Sequence, residues 1–194
     1  MGPDEGFGLT ESDAEIVHRS TSGDAKAFGE LFWRHNGAVH AYLARRAGRD
    51  VADELVAEAW LRAFCNRAQF DLRYSDARPW LYGIARNVLN SHWRQMKRSP
   101  PLELAAISDP WPELDEHLDE SERRLVLLKA LDMLTNDERE VLLLVAWEQL
   151  SAAAIALILD IPASTVRNRL HRARVCMRSE LATDFDTLDR EKEN

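Results

Sequence analysis

The sequence predicts an all-α protein of two small helical domains joined by an acidic linker, the second domain a helix-turn-helix of winged-helix-like DNA-binding type. Three observations lead there. Apolar residues recur at helical spacing almost throughout, and no stretch alternates polar and apolar as a half-buried strand would. Charge is segregated: residues 1–98 carry 14 Lys/Arg and 13 Asp/Glu, and residues 123–194 carry 11 and 12. Between them, Glu103, Asp109, Glu113, Asp115, Glu116, Asp119, Glu120 and Glu122 stand without a single Lys or Arg, so the net charge of −8 belongs to residues 99–122. Pro100, Pro101, Pro110 and Pro112 disfavour a continuous helix there, the composition of a linker. Finally, residues 161–179 hold five arginines and no acid.

The resulting division is 21–98 and 123–182 for the folded domains and 99–122 for the linker. The end segments, 1–20 and the acidic tail 183–194, receive no role and are expected to lack fixed structure. In the first domain, Asp24 reads as the N-cap of a long helix through Ala27, Phe28, Leu31, Phe32, Val39, Tyr42 and Leu43 that stops at Gly48. Asp50 caps a second helix, with Val51, Leu55, Ala59 and positions 61–64 toward a core. Pro79 suits the first turn of a third, through Leu81, Ile84, Val88 and Leu89. In the second domain, Leu125, Leu128, Leu131 and Leu134 form an apolar stripe. Thr135-Asn136-Asp137-Glu138 matches a capping box opening a helix over 139–147. Ser151 caps a short helix with Ile155 and Leu159 inward, Pro162 marks a turn, and Ser164 caps the basic helix.

Three surfaces carry candidate function. The basic helix, with Arg167, Arg169, Arg172, Arg174 and Arg178 behind Ser164 and Thr165, suits a DNA major groove, its first residues at base edges and its arginines at phosphates. Residues 77–102 lack acids and carry Arg78, Arg86, Arg94, Lys97 and Arg98; Phe70, Tyr74, Trp80, Tyr82 and Trp93 lie among or just before them. Cations beside aromatic rings suit single-stranded DNA, at about 1–3 kcal/mol per stacked base. Trp80, Leu81 and Ile84 share one face and read as core, whereas Phe70 and Tyr74, in an irregular stretch, suit a base-capturing loop. Asp50, Glu54 and Glu58 are spaced i, i+4, i+8 with Asp53 adjacent; on spacing alone this is either a solvated face or a docking stripe for a basic partner. Cys65 and Cys176 lack any metal or redox spacing and read as buried or inert thiols. His18, His35, His40, His92, His117 and His171 are scattered, so no catalytic, metal or cofactor site is expected. No apolar run approaches a membrane span and no signal segment follows Met1, which points to a cytoplasmic protein without membrane insertion.

In this order, the motifs resemble those of bacterial sigma factors of the extracytoplasmic-function group, over about residues 20–182. Gly23-Asp24-Ala25, Ala27-Phe28 and Leu31-Phe32 look like the opening of the family's domain 2. Residues 53–63, Asp-Glu-Leu-Val-Ala-Glu-Ala-Trp-Leu-Arg-Ala, look like the helix that docks on the clamp helices of the largest polymerase subunit. Residues 78–87, Arg-Pro-Trp-Leu-Tyr-Gly-Ile-Ala-Arg-Asn, resemble the segment that melts and reads the minus-ten element, and residues 164–174 the minus-thirty-five reader. The resemblance implies binding to core RNA polymerase through Asp53, Glu54, Ala57 and Glu58, with the flap of the second-largest subunit as a further contact. It implies minus-ten contacts from Phe70, Arg73, Tyr74, Arg78, Arg86, Asn87, Asn90, Arg94, Lys97 and Arg98, the loop 69–77 capturing a flipped base. Asn87, Asn90 and Arg94 would face the incoming template or the non-template strand. The minus-thirty-five contacts would come from Ser164, Thr165, Arg167, Asn168, Arg169, His171, Arg172 and Arg174. The linker would thread toward the active-site cleft, its carboxylates imitating nucleic acid, and an anti-sigma protein would be the regulator. The chain departs from the family pattern at Ala57 (usually Gln), Ser91 (Asp), Ala154 (Glu), Asp160 (Gly) and Ser164 (Gly); Asp160 then has to tolerate left-handed backbone. A dimeric helix-turn-helix regulator is the rival reading; it accounts for residues 164–178 but not for 70–98.

Overall fold

The computed structural model describes residues 11–96 and 120–192, with side chains over 11–96 and 125–181. Its two units are residues 1–100 and 101–194. Every regular element among the described residues is helical, so the winged-helix likeness reduces to its helices. Most of the predicted linker lies outside the described residues.

The first unit opens with a helix the sequence reading lacks. Ser12 starts α1 (Asp13–Thr21): its hydroxyl accepts the Glu15 N–H, and the Glu15 carboxylate accepts the Ser12 N–H at 2.7 Å, a reciprocal capping box. Ile16 and Val17 are wholly buried. The expected lack of structure over 1–20 is therefore corrected from Ser12 onward. Two adjacent apolar residues make no periodic stripe, yet they dock a nine-residue helix. A 3-10 turn (Ala25–Ala27) precedes α2 (Phe28–Ala47), and Asp24 makes no side-chain cap bond, so α2 begins later than its predicted cap. Gly48 alone joins α2 to α3 (Arg49–Cys65), at φ 87° and ψ 158°, a conformation essentially restricted to glycine. The chain turns at that residue, and α3 is already helical at Asp50, which is not its cap.

After a 3-10 turn (Arg67–Gln69) and the loop 70–77, α4 (Arg78–Met96) carries Pro79 in its first turn as predicted. Helices α2, α3 and α4 bury Leu31, Tyr42, Leu43, Leu55, Ala59, Leu81, Ala85 and Val88 against one another. Phe28 meets Trp60 and Phe64 edge-on at 5.9 and 5.4 Å, and the Trp60 indole N–H donates to Asn36 Oδ1 at 2.9 Å. The Phe28 and Trp60 rings are thus buried, and the one indole N–H among them is satisfied.

The second unit holds α5 (Glu120–Asp132), α6 (Asn136–Ala146), α7 (Ala152–Leu159) and α8 (Ala163–Lys192). Val126, Leu127, Ala130, Leu131 and Leu134 face Leu142, Leu143, Ala173, Met177 and Leu181 in its core, whereas Leu125, read as part of the stripe, points outward. The Thr135–Glu138 capping box and the Ser151 cap, which accepts the Ala154 N–H at 3.2 Å, form as predicted. Asp160 ends α7 in the left-handed conformation at φ 53° and ψ 49°. The basic helix starts at Ala163, with the Pro162 carbonyl accepting the Thr165 and Val166 N–H groups; Ser164 lies inside the first turn and is not the cap. That helix runs on to Lys192. The expected lack of structure over 183–194 is corrected as far as Lys192: no Gly or Pro interrupts residues 163–192.

Candidate nucleic-acid interface

Helix α8 is anchored by Val166, Ala173 and Met177, all wholly buried, at helical spacing. The opposite side presents Ser164, Arg167, Asn168, His171, Arg172 and Arg174 to solvent. Thr165 and Arg169 are half-buried, and the Arg169 guanidinium pairs with Asp137 of α6 at 2.5 Å. Glu138, beside it, is held below its usual range by the Thr135 hydroxyl and by the fields of Arg172 and Arg169. Arg167, Arg172 and Arg174 make no ion pair among the described residues.

The loop before α4 separates two aromatic rings that composition leaves equivalent. Phe70 is only 6% exposed and packs on Trp80 at 5.4 Å, so the reading of Phe70 as a base-capturing ring is corrected; it is core. Tyr74, 44% exposed, is the loop ring left open. Two Asp-x-Arg units flank it. The Arg73 Nε donates to both Asp71 oxygens at 2.9 and 3.0 Å, and the Arg78 Nε to both Asp76 oxygens at 3.1 and 3.0 Å. Arg73 lowers the Asp71 carboxyl; burial pushes Asp76 up, but the bonds from Arg78 bring it below its usual range. On α4, Asn87, Asn90 and Arg94 are exposed at i, i+3, i+7 spacing, while Arg86 is half-buried and engaged with other groups. Lys97 and Arg98 lie outside the described residues.

On α3, Asp53, Glu54 and Ala57 are exposed and Glu58 is half-buried, paired with Arg62 at 2.5 Å. Asp53 also meets His40 of α2 at 3.1 Å. Leu61, read as core, is 63% exposed, one turn beyond Ala57 on the same face, and Trp33 of α2 is 83% exposed. The sequence reading missed both. The i, i+4 continuation from Ala57 was the available signal for Leu61, and nothing in composition separates Trp33 from the buried aromatics. Cys65 is exposed, so of its reading as a buried or inert thiol the burial does not hold. Cys176 is half-buried, and burial raises its thiol. No group of His, Cys, Asp and Glu able to hold a metal occurs among the described residues. No helix among them is long and apolar enough to cross a membrane.

One buried carboxylate ties these elements together. Asp13 Oδ2 accepts the Ala77 N–H and the His35 Nε2–H, both at 2.8 Å, and Oδ1 accepts from Arg34 at 2.6 Å. Burial alone raises its carboxyl. The bonds from His35 and Ala77, the field of His35 and the bond from Arg34 outweigh that and hold it at about 2, against 3.8 for an ordinary aspartate. His35, scattered in sequence, is thus a structural partner.

Two family descriptions match the chain: Sigma-70 region 2 over residues 31–99 and Sigma-70 region 4 over residues 117–177. The chain is 33% identical to the probable RNA polymerase sigma factor RfaY of Xanthomonas campestris pv. campestris over 184 residues, covering 91% of this chain and spanning 45% of that protein. It is 32% identical to the ECF RNA polymerase sigma factor SigM of Mycobacterium tuberculosis, over 89% of this chain and 87% of that one. Its fold is similar to that of the sigma factor RpoE of Bartonella quintana, solved with the anti-sigma factor NepR, at a TM-score of 0.60 and 24% identity over 82% of this chain and 99% of that one.

Proposed function

Because the chain belongs to the sigma-70 family of RNA polymerase sigma factors, in its extracytoplasmic-function group, we propose that its first unit docks on core polymerase and opens the minus-ten element while its second unit reads the minus-thirty-five element. Action is by binding, in the cytoplasm, and not by catalysis. Asp53, Glu54, Ala57 and Glu58 meet the clamp helices of the largest subunit, with exposed Leu61 adding an apolar contact to the acidic stripe. Tyr74 takes a flipped base, and Asn87, Asn90 and Arg94 line the strand beside it; Arg73, Arg78, Lys97 and Arg98 supply phosphate contacts. Stacking offsets the few kcal/mol that unstacking a base costs. In the second unit, Arg167, Asn168 and His171 reach base edges and Arg172 and Arg174 reach phosphates, with Ser164 and Thr165 at the leading turn. The second-largest subunit's flap holds this unit in place. An anti-sigma protein covering the acidic stripe and the apolar Leu61 is the regulator this surface suits.

The observation that carries the reading is that the first unit has a candidate surface of its own: Tyr74 is exposed in the loop 70–77, and Asn87, Asn90 and Arg94 are exposed on α4. A dimeric helix-turn-helix regulator has no use for it. Run-off transcription with core polymerase, with and without the protein, on a genomic promoter library tests the reading. New start sites sharing minus-ten and minus-thirty-five motifs are the expected result. No initiation, together with binding of the protein alone to a palindrome, overturns it.

A further inference from the structure

The Asp13 network grips the loop 70–77 from α1, an element outside the proposed docking and DNA-reading surfaces. Its side chain takes the Ala77 N–H at 2.8 Å, and its main-chain N–H donates to the Ser75 carbonyl at 3.1 Å. One residue therefore holds the last turn of the loop twice. Ala77 is wholly buried, stands immediately before α4 and offers no side-chain oxygen of its own; its carbonyl accepts the Leu81 N–H at 2.9 Å and so begins the helix. The N–H groups at this helix end need acceptors, and a carboxylate there is favoured by the helix dipole. Asp76 takes the Arg78 N–H at 2.9 Å, and Asp13 supplies the other acceptor from across the fold. Arg34 and His35 hold the same carboxylate against α2.

The geometry points to Asp13 as a positioning residue for promoter reading: by fixing Ser75 and Ala77 it sets where Tyr74 stands relative to Asn87 and Asn90, and thereby the base selectivity of the loop. This rests on the base-capture reading proposed above. A loop that discriminates bases has to be held within about half an ångström of its working geometry. The exposed Asp71–Arg73 pair cannot do that, because it joins the loop only to itself. Asp13 joins it to α1 and α2.

The test uses holoenzyme reconstituted from core polymerase and the full chain, as wild type, Asp13→Asn, Arg34→Ala and Tyr74→Ala. Core affinity is measured alongside binding to a fluorescent single-stranded non-template oligonucleotide carrying the minus-ten bases of a mapped promoter, and to copies with each base replaced. Asp13→Asn is expected to keep core affinity within about twofold while its preference for the cognate oligonucleotide falls about tenfold, the scale of one charge-assisted hydrogen bond. Arg34→Ala, which loosens the carboxylate but leaves it on Ala77, is expected to lose less. If Asp13→Asn does not fold, Arg34→Ala carries the test. A wild-type preference that depends on Tyr74 but is unchanged in the Asp13 or Arg34 variants overturns the inference alone. Equal loss of core affinity with intact base preference overturns it as well. A wild-type holoenzyme with no preference, or one indifferent to Tyr74→Ala, overturns base capture and this inference with it.

Discussion

The arginines of the two units are prepared differently. In the first unit, Arg73 and Arg78 are each held by an aspartate two residues earlier, and the loop that carries Arg73 and leads into Arg78 is anchored by a buried carboxylate. In the second, Arg167, Arg172 and Arg174 project from an acid-free stretch of α8, and among the arginines over 167–174 Arg169 is the one tied to an acid. The difference teaches how one chain of net charge −8 can offer both proposed nucleic-acid surfaces. Duplex DNA presents a dense row of phosphates and rewards unpaired cations, with a steep salt dependence. An unstacked base rewards a ring held still, and a cation already paired with an aspartate gains less from a phosphate than an unpaired one.

The largest effect that would sharpen this contrast concerns the anchor. Asp13→Asn should cost the first unit about 2–3 kcal/mol of stability at neutral pH, by linkage from its depressed carboxyl. Since the folded value lies below the ordinary one, that stabilisation is complete above about pH 4 and disappears as pH falls toward 2. Denaturant melts of wild type and variant across that range should therefore converge in acid. A gap that persists at the lowest pH would show that the residue acts through packing instead.

Next come Tyr74→Ala and Arg167→Ala, each expected to remove about 1–3 kcal/mol of promoter binding by holoenzyme. A phosphate contact should part company from both in salt: Arg172→Ala flattens the salt slope by about one, and Tyr74→Ala leaves it unchanged. Equal slopes would break the comparison. At Asp160 the left-handed backbone favours glycine, so Asp160→Gly should raise the melting stability of the second unit by about 0.5–1 kcal/mol. A fall would mean that the aspartate side chain supports the turn. Smallest is Asp71→Asn, which frees Arg73; because that pair is exposed, oligonucleotide binding should tighten only slightly, with a steeper salt slope.

What the sequence made legible follows the reach of the interactions. The Thr135–Glu138 box, the Ser151 cap and the left-handed Asp160 are each decided within three or four residues, and each was readable. So was the basic face of α8, because Val166 and Ala173 repeat at helical spacing beneath it. The Asp13–Ala77 bond was not, since nothing near Asp13 marks a partner that lies just before another helix. Phe70 and Tyr74 share a loop and a chemistry; only the Trp80 ring, placed by α4, makes one core and leaves the other open. Leu61 was misassigned because α3 carries apolar residues on two faces, and only one of these meets α2 and α4.

The single residue between α2 and α3 has a consequence for the order in which the molecule assembles. A one-residue connection makes loop closure between the two helices as inexpensive in entropy as a chain allows, and the contacts it brings together are close in sequence. The α2–α3 hairpin, with its ring cluster and its acidic face, should therefore be the earliest tertiary structure to form. The loop that carries Tyr74 has to wait for a contact that spans most of the first unit. On a nascent chain, the face proposed to meet the polymerase would be ready before the loop proposed to read the promoter.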